Sequence, residues 1–180
     1  FLGTILAFLI FSNLSSKPTE TVQEVSAVNG TGIVLPSHFT ERKITDPSTA
    51  RDAINDVADT LGIVSVEDEL GTADCSTVLG DTYYSFPQVY RGIPVYGRKV
   101  TVSADADSEA ALLTSGFYPI ENLSVEAKIT QNDAEKIVAG LYPGEADIYV
   151  NNLVIFSLDK TNPELAWKIS VHQNNSWESV

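Results

Sequence analysis

The first regular hydrophobic pattern in the chain lies between residues 50 and 61. Apolar residues recur there at the three- and four-residue spacing of one helical face: Ala50, Ala53, Ile54, Val57, Ala58 and Leu61. Asp46 can cap this helix, Pro47 occupies the favoured first helical position, and Gly62 can end it. The pattern predicts one helix over 47–61 whose apolar stripe has to pack against another element.

Short β-rich segments follow this helix and predict an antiparallel sheet. They cover residues 82–86, 88–96 and 99–104. In the third segment Val100, Val102 and Ala104 alternate with polar residues, which is typical of a strand with one buried face. Residues 105–109 predict a hairpin turn, and 110–115 predict the returning strand. A helix followed by an antiparallel meander defines an α+β unit.

The same order of elements repeats in the second half of the chain. Thr130 and Asp133 form a capping-box-like start, and Pro143-Gly144 stops the helix. The helical face between them consists of Ala134, Ile137, Val138 and Leu141. Strands are predicted at 147–150, 153–158 and 165–171, with turns at 151–152 and 159–163. Two helix-then-meander units in tandem, joined near 119–128, are the predicted architecture.

Residues 88–97 carry the most specific motif in the chain, Gln-Val-Tyr-Arg-Gly-Ile-Pro-Val-Tyr-Gly. Gly92 permits a positive φ, and Pro94 fixes its own φ and donates no backbone hydrogen bond. Gly97 leaves room for another backbone to approach closely. The motif predicts a strand with a built-in kink, not a catalytic loop.

The chain opens with an uninterrupted apolar run over residues 1–11, followed by polar residues from Ser12. A helix that spans a bilayer needs about 20 apolar residues, so the run is too short, and its length favours the core of a signal peptide over a membrane anchor. Without an initiator Met or a basic leader, residues 1–16 are interpreted as a truncated signal-peptide-like segment. Residues 17–46 are predicted to be a flexible leader with a short strand at 32–35.

Composition excludes several functional classes. The 180 residues carry a net charge of −13, and the 11 Lys and Arg are scattered singly, which argues against a nucleic-acid partner. Cys75 is the only cysteine, so an intramolecular disulfide and a cysteine-based zinc cluster are impossible. We expect Cys75 to be a small, half-buried side chain in a loop.

The sequence shows no constellation for catalysis. His38 and His172 lie far apart, and no His-Glu-x-x-His, Gly-x-Ser-x-Gly or phosphate-binding loop occurs. The acidic run Asp105, Asp107 and Glu109 could suggest calcium, but a solvated hairpin is favoured because the glycine and distant glutamate of a calcium loop are missing. We expect no catalytic residue, metal site or cofactor in this segment.

The motif at 88–97 resembles the signature of the fungalysin/thermolysin propeptide domain, in which a Gln-x-Tyr-x-Gly-x-Pro-Val-x-Gly run follows an aromatic strand. The resemblance extends over about residues 50–171. The other matching features, in the family's order, are Leu61-Gly62, the acidic run 67–70, Gly80, the Val100/Val102 strand with its acidic turn, and Gly116.

The second unit resembles a PepSY domain, with Ala134 on its helix and 165–167 opening a late strand. Three positions depart from the first pattern: Tyr83 and Ser85 stand where family members often carry His and Arg, and Pro87 replaces a second Gln.

The resemblance implies an α+β fold of two tandem cystatin-like units, each a helix packed on an antiparallel sheet. Residues 47–120 would form the fungalysin/thermolysin propeptide-like domain. Residues 121–180 would form a PepSY-like domain that is incomplete at its C-terminus. It also implies that the chain is the propeptide region of a secreted thermolysin-like zinc metalloprotease precursor, a zinc metalloendopeptidase.

In that role the segment acts as an intramolecular chaperone and inhibitor of a catalytic domain outside this chain. The expected partner is that cognate metallopeptidase domain in cis, with no nucleic acid and no stable membrane span. Zinc and calcium are expected only in the catalytic domain. The expected interaction surface is the exposed sheet around Gln88, Tyr90, Gly92, Pro94 and Tyr96.

A second hypothesis is a free-standing secreted PepSY-type binding or protease-inhibitory module. The coding sequence beyond Val180 separates the two, since a His-Glu-x-x-His motif supports the precursor and a stop codon supports the module. An enzyme in its own right would need a catalytic constellation that the sequence lacks.

Overall fold

The computed structural model describes residues 5–10, 32–142, 146–157 and 162–173. Within these ranges the strands are β1 Ile5–Ile10, β2 Ile33–Leu35, β3 Asp74–Val78, β4 Asp81–Tyr90, β5 Ile93–Ala104, β6 Ala110–Ser115, β7 Ala146–Phe156 and β8 Glu164–Gln173. The helices are α1 Pro47–Asn55, α2 Ala58–Leu61, α3 Val66–Glu69 and α4 Gln131–Leu141. The mixed α+β class predicted from the sequence is confirmed.

The described strands form one sheet that runs through both halves of the chain. Its order is β1-β8-β7-β5-β4-β3, and β6 pairs with both β5 and β2. All pairings are antiparallel except that of β5 with β7, which is parallel and joins Val95 to Ile155. The division into two tandem cystatin-like units is not confirmed, because β5 belongs to both halves of this sheet.

The first core forms between α1 and one face of the sheet. Ala53 and Ile54 of α1 are fully buried there, as are Val100 and Val102 of β5. Tyr84 and Phe86 of β4 and Leu113 of β6 complete the same cluster. The helical stripe and the strand alternation in the sequence therefore meet each other, as the hydrophobic effect requires.

The predicted helix over 47–61 is interrupted. Its start is confirmed: the Asp46 carboxylate accepts from the Thr49 backbone N–H at 2.8 Å, and Pro47 follows at the first position. The end at Gly62 is also confirmed, with φ 73°. Between α1 and α2, however, Val57 has φ −121° and ψ 13°, outside the helical region. The apolar repeat continues through this break, so the repeat alone could not reveal it.

The segment predicted as a leader is described from residue 32 onward. There β2 pairs with β6, and Ile44 is buried in the first core, so this part packs against the domain. Residues 5–10 form β1, which pairs antiparallel with β8. Residues 1–4 and 11–31 lie outside the described ranges, and the interpretation of 1–16 as a signal peptide stays a prediction.

The second helix begins as predicted and packs on β8. Thr130 caps α4 by accepting from the Asp133 backbone N–H at 3.2 Å, and Ala134 and Val138 are buried against Ile169 and Val171. Pro143-Gly144 lies outside the described residues.

The predicted turn at 151–152 is wrong. Val150 pairs with Ile169 and Asn152 pairs with Lys168, so Asn151 is one extra residue in a continuous strand β7. Such a β-bulge reverses which residues face each side of the sheet beyond it. The two asparagines resembled a turn because bulges and turns favour similar residues. Of the turn predicted at 159–163, only residues 162–163 are described.

The predicted kink at Gly92 is instead a hairpin turn. Tyr90 pairs with Ile93, and the two residues between them both have positive φ, 50° at Arg91 and 79° at Gly92. That is the geometry of a two-residue type I′ turn, whose twist matches the flanking strands. The motif at 88–97 therefore spans the end of β4, the turn and the start of β5.

A wide bulge in β5 follows this turn. Val89 pairs with Pro94 and Pro87 pairs with Lys99, so residues 95–98 stand opposite Gln88 alone. Gly97 lies in this bulge with φ 69°, and a Cβ added there would meet nothing within 4 Å. The prediction that Gly97 allows a close backbone approach is thus wrong, since the position requires glycine for its left-handed conformation.

Two features in the first half of the chain differ in how well the sequence predicted them. The hairpin turn over 105–109 is observed, with the Asp105 carboxylate accepting from the backbone N–H groups of Asp107 and Glu109 at 3.0 and 2.8 Å. Strand β3 was not predicted, because it is exposed along its length and lacks an apolar alternation. Cys75 therefore lies exposed on a strand, not half-buried in a loop.

We expect Gly97→Ala to lower the free energy of unfolding by about 1–2 kcal/mol, because an L-residue is strained at this φ. Gly116→Ala is the matched control: its added Cβ would meet the Lys99 carbonyl oxygen at 3.6 Å and the Lys99 backbone nitrogen at 3.9 Å, both ordinary contacts. Urea unfolding of both variants measures the difference. Equal stability of the two variants would contradict the requirement for a left-handed residue at 97.

We expect Asp56→Asn to destabilise the protein by about 1–2 kcal/mol at neutral pH. The Asp56 carboxylate accepts from Arg42 Nε at 2.7 Å and from Thr40 Oγ1 at 2.6 Å, beside the break between α1 and α2. The hydrogen bond from Arg42 is the main cause that lowers the pKa of Asp56 below its usual 3.8, and Thr40 adds to it.

Folding lowers the pKa of Asp56, so its hydrogen bonds stabilise the protein fully above pH 3.8. This stabilisation is lost as the pH falls through the lower pKa that Asp56 has in the folded protein. Urea unfolding at pH 7 and at pH 3 measures the free energy of unfolding of both proteins. The difference between wild type and Asp56→Asn should be smaller at pH 3. The exposed Asp59→Asn serves as control and should change stability by less than about 0.5 kcal/mol. An equal difference in the free energy of unfolding at both pH values would refute the hydrogen bonds assigned to Asp56.

Candidate interaction surface

The sheet has one face covered by helices and one face without them. On β4 and β5 the residues of the first core alternate with Ser85, Pro87 and Lys99, which therefore point away from α1. On β8 Lys168 alternates with Trp167 and Ile169, which pack with α4. The side chains that point away from both helices form the helix-free face.

A groove of about 630 Å³ crosses this helix-free face at the bulge of β5. Its walls come from β3, β4, β5, β7 and β8, so residues from both halves of the chain meet in it. The lining residues are Asp74, Cys75, Ser76, Ser85, Pro87, Pro94, Val95, Tyr96, Gly97, Arg98, Lys99, Asn152, Val154 and Lys168. We call this feature the bulge groove.

Tyr96 of β5 packs against residues from the second half of the chain. Its ring packs against Phe156, with ring centroids 6.3 Å apart, in a small cluster with Val154 and Ala166. Lys168 Nζ lies 5.5 Å from the Tyr96 ring centroid, within the range of a cation–π interaction. An aromatic ring beside an ammonium group is suited to contact with another polypeptide.

The charge of the groove differs from that of the whole chain. Lys99 and Lys168 line it with Asp74 as the one carboxylate among its lining residues, whereas the chain carries 24 Asp and Glu against 11 Lys and Arg. The groove is thus a locally cationic site on an acidic protein. Complementary charge of this kind directs which partner surface docks and in which orientation.

Gln88 does not belong to this surface, which corrects the prediction. It is 2% exposed and lies on the helix-covered face. Its amide nitrogen donates to the Tyr118 carbonyl at 2.7 Å, and its amide oxygen accepts from the Tyr118 N–H at 3.3 Å. The side chain therefore acts as a buried bridge to the segment that links the two halves. The sequence placed Gln88 on the surface because a polar residue in a strand usually is exposed.

The other predicted surface residues separate into two places. Pro94 and Tyr96 line the bulge groove. Tyr90 and Gly92 lie at the hairpin, where Tyr90 packs half-buried near Val95 and the Arg91 guanidinium lies 5.2 Å from its ring centroid. Lys99 and Lys168 were missed, because isolated lysines in a sequence carry no signal that they will meet.

The junction between the halves is packed. Val95, Tyr118, Ile120 and Ile155 form a buried cluster where the sequence predicted a joint near 119–128. Arg98 lies beside it, 4% exposed, with its guanidinium 5.3 Å from the Tyr118 ring centroid. These contacts hold β5 and β7 together and thereby shape the groove.

Tyr83 and Ser85, two positions that depart from the family pattern, both lie on β4. Ser85 Oγ and Thr101 Oγ1 are 2.9 Å apart across β4 and β5. Tyr83 is half-buried two residues earlier on the same strand. Of the two positions, Ser85 therefore makes a hydroxyl–hydroxyl contact to the neighbouring strand.

Neither a metal cluster nor a membrane-spanning helix is found in the described ranges. No three His, Cys, Asp or Glu side chains gather there in a way that could hold a metal ion. His172 packs edge-on against Tyr149 with ring centroids 5.6 Å apart. No described helix is long and apolar enough to cross a lipid bilayer.

Comparison with known proteins adds one family. The family described as Fungalysin/Thermolysin Propeptide Motif matches residues 74–117, which cover β3 through β6 and include the hairpin and the bulge. This match supports a propeptide of a thermolysin-like protease. A search among curated proteins found no match.

We expect Gln88→Leu to lower the free energy of unfolding by about 2–4 kcal/mol, because it removes two buried hydrogen bonds to the backbone of Tyr118. Gln131→Leu, at an exposed position of α4, is the control and should have little effect. Thermal and urea unfolding provide the measurement. A stable Gln88→Leu protein would show that the two bonds to Tyr118 do not hold the linking segment.

Proposed function

We propose that this chain is the propeptide region of a secreted thermolysin-like zinc metalloprotease precursor, and that it assists folding of the catalytic domain and inhibits it until removal. The observation that carries the proposal is the family match over 74–117. The matched residues include every lining residue of the bulge groove except Asn152, Val154 and Lys168, so the matched region and most of the candidate surface coincide.

Assistance in folding has a simple thermodynamic basis. A partner that binds native-like states of the protease, including its folding transition state, stabilises those states relative to the unfolded chain. Inhibition requires in addition an extensive interface that covers or distorts the catalytic cleft. A pre-formed sheet face with an aromatic residue, two prolines and two lysines provides a rigid contact surface for both tasks.

Three further parts of this proposal concern the second half of the chain, its N-terminal segment and the metal ions. The second half of the chain is proposed to be a PepSY-type unit, so that the two halves correspond to tandem cystatin-like units fused through β5. Residues 1–16 are proposed to be part of a signal peptide that directs secretion. Zinc and calcium are proposed to bind only in the catalytic domain.

The test begins with the coding sequence beyond Val180. The proposal expects a His-Glu-x-x-His motif there. The catalytic domain that carries it is then refolded from denaturant with and without this chain added in trans. We expect a several-fold higher yield of folded protease with the chain present, and peptidase activity that appears only after the chain is digested. A stop codon after Val180 would instead favour the free-standing inhibitory module, and equal refolding yields would refute the assisting role.

We expect Lys99→Glu to weaken inhibition about tenfold if the bulge groove contacts the protease, because the reversed charge opposes the partner surface. Lys136→Glu on the exposed side of α4 is the matched control, with the same change of charge away from the groove. Inhibition constants of the two variants provide the comparison. Equal constants would place the interface elsewhere.

Cys75 offers an independent measurement for the same prediction. It is the only cysteine, it is exposed, and it lines the groove. Its rate of reaction with a thiol reagent should fall when the wild-type chain binds the protease. An unchanged rate in a complex that inhibits fully would exclude the groove as the docking site.

A further inference from the structure

The edge of the sheet formed by β3 is open in the described part of the chain. β3 is the last strand in the order of the sheet and pairs with β4 alone. All five of its residues, from Asp74 to Val78, are exposed. An edge of this kind presents backbone N–H and C=O groups with which another strand can pair.

The hairpin between β3 and β4 fixes which backbone groups point to the open edge. Val78 pairs with Asp81 across a two-residue turn at 79–80, and both turn residues have positive φ. The residues that flank such a turn form a hydrogen-bonded pair, and hydrogen-bonded pairs alternate with non-hydrogen-bonded pairs along an antiparallel ladder. At the intervening positions, the backbone groups of Cys75 and Thr77 therefore point away from β4.

A contact near the other end of β4 supports this alternation. The Pro87 carbonyl oxygen accepts from the Gly71 N–H at 2.8 Å, so the backbone of Pro87 points to the side of β4 on which β3 lies. Because alternate residues of a strand direct their backbone groups to the same side, Ser85 points there as well. Ser85 lies opposite Asp74. These two residues are therefore a hydrogen-bonded pair, and the groups of the next residue, Cys75, are directed at the edge.

β3 lacks the features that usually protect an exposed edge. Lysine, proline and β-bulges at an edge prevent a further strand from pairing. The sequence of β3 is Asp-Cys-Ser-Thr-Val, without lysine or proline, and its register with β4 shows no shift. N–H and C=O groups on every second residue are complementary to another extended backbone, which is the chemistry of strand addition. The edge is therefore suited to an extended polypeptide.

Leu79, at the tip of the same hairpin, is a second unusual feature. Its side chain is fully exposed, and the neighbouring Val78 is 54% exposed. Leu79 has φ 54°, which is strained for a bulky residue, and turns of this type favour Asn, Asp or Gly. A strained apolar residue that packs on none of the described residues is suited to insertion into an apolar pocket of a partner.

The edge is continuous with the bulge groove. Asp74, Cys75 and Ser76 of β3 line the groove. The family match begins at residue 74 and therefore includes the whole of β3 and its hairpin. A partner seated in the groove lies next to the edge of β3, so one protein can contact both.

We propose that the edge of β3 pairs with an extended segment of the catalytic domain, and that Leu79 inserts into an apolar pocket beside that segment. The N–H and C=O groups of Cys75 and Thr77 bond to the backbone of the added strand, so the sheet of this chain continues into the protease. This docking site rests on the function proposed above, because its partner is the catalytic domain of that proposal.

Amide hydrogen exchange, resolved by residue with NMR spectroscopy, tests the pairing directly. The samples are the full chain alone and with the catalytic domain, whose zinc-site glutamate is replaced by glutamine so that the chain is not digested. We expect exchange of the Cys75 and Thr77 amides to slow about tenfold or more in the complex. The amides of Ser76 and Val78 are bonded to β4 and should exchange slowly in both samples. Binding without slower exchange at 75 and 77 would overturn the docking site.

The outcomes separate this site from the proposed function. Inhibition and assisted refolding without protection at 75 and 77 refute the docking site alone. Protection without inhibition or assisted refolding refutes the proposed function and retains the docking site, and absence of binding refutes both. Protection that rises with the concentration of the chain by itself assigns the edge to a second copy of this chain and overturns the protease as its partner.

Two substitutions at residue 77 separate the backbone bond from the side chain. Thr77→Pro removes the N–H that points to the edge and leaves the bonds to β4 in place. Thr77→Val keeps that N–H, and both variants lose the contact of the Thr77 hydroxyl with that of Thr82. We expect Thr77→Pro to weaken binding about tenfold and Thr77→Val to bind like wild type. Equal affinities of the two variants, both folded by far-UV circular dichroism, would contradict strand pairing.

Leu79→Asn tests the residue at the tip. Asn adopts a positive φ more readily than Leu, so we expect the midpoint of urea unfolding to rise while the affinity for the catalytic domain falls about tenfold. Higher stability with weaker binding cannot come from a structural defect. Val64→Asn, at a 94% exposed apolar residue outside the hairpin, is the matched control and should bind like wild type. Equal affinities of Leu79→Asn and wild type would overturn the role of Leu79.

Discussion

A left-handed backbone conformation at Gly97 divides β5 into two halves with different neighbours. Residues before it follow the hairpin from β4 and reach β7 through Val95, whereas residues after it pair with β6. The bulge bends β5 between its two partners, and glycine adopts the φ found at this position without strain. The continuous sheet, the packed junction and the bulge groove all depend on this position.

The bulge groove follows from how the halves meet. On the helix-free face the bulge leaves a groove in which side chains from both halves are brought together, among them Tyr96, Lys99 and Lys168. The bulge groove requires both halves of the chain, which explains why it is not visible in a local motif.

The sequence predicted features that local physics decides. These features depend on neighbouring residues only. They are the helix caps at Asp46 and Thr130, the helix end at Gly62, the hairpin turn over 105–109 and the strand over 110–115. It failed where tertiary contacts decide: Gln88 is polar but buried, because its amide satisfies the Tyr118 backbone thirty positions away. The α+β class was predictable from periodicity, whereas the sharing of β5 was not.

The parallel contact of β5 with β7 also determines the order of folding events. The β4–β5 hairpin closes within a short loop, whereas Val95 has to wait for Ile155, whose approach carries a larger loop-closure entropy. Synthesis from the N-terminus completes β5 well before β7 leaves the ribosome. During that interval the segment around Val95 is an open strand edge with an apolar side chain, which is the state most prone to aggregate. The second half of the chain therefore protects the first by covering this edge.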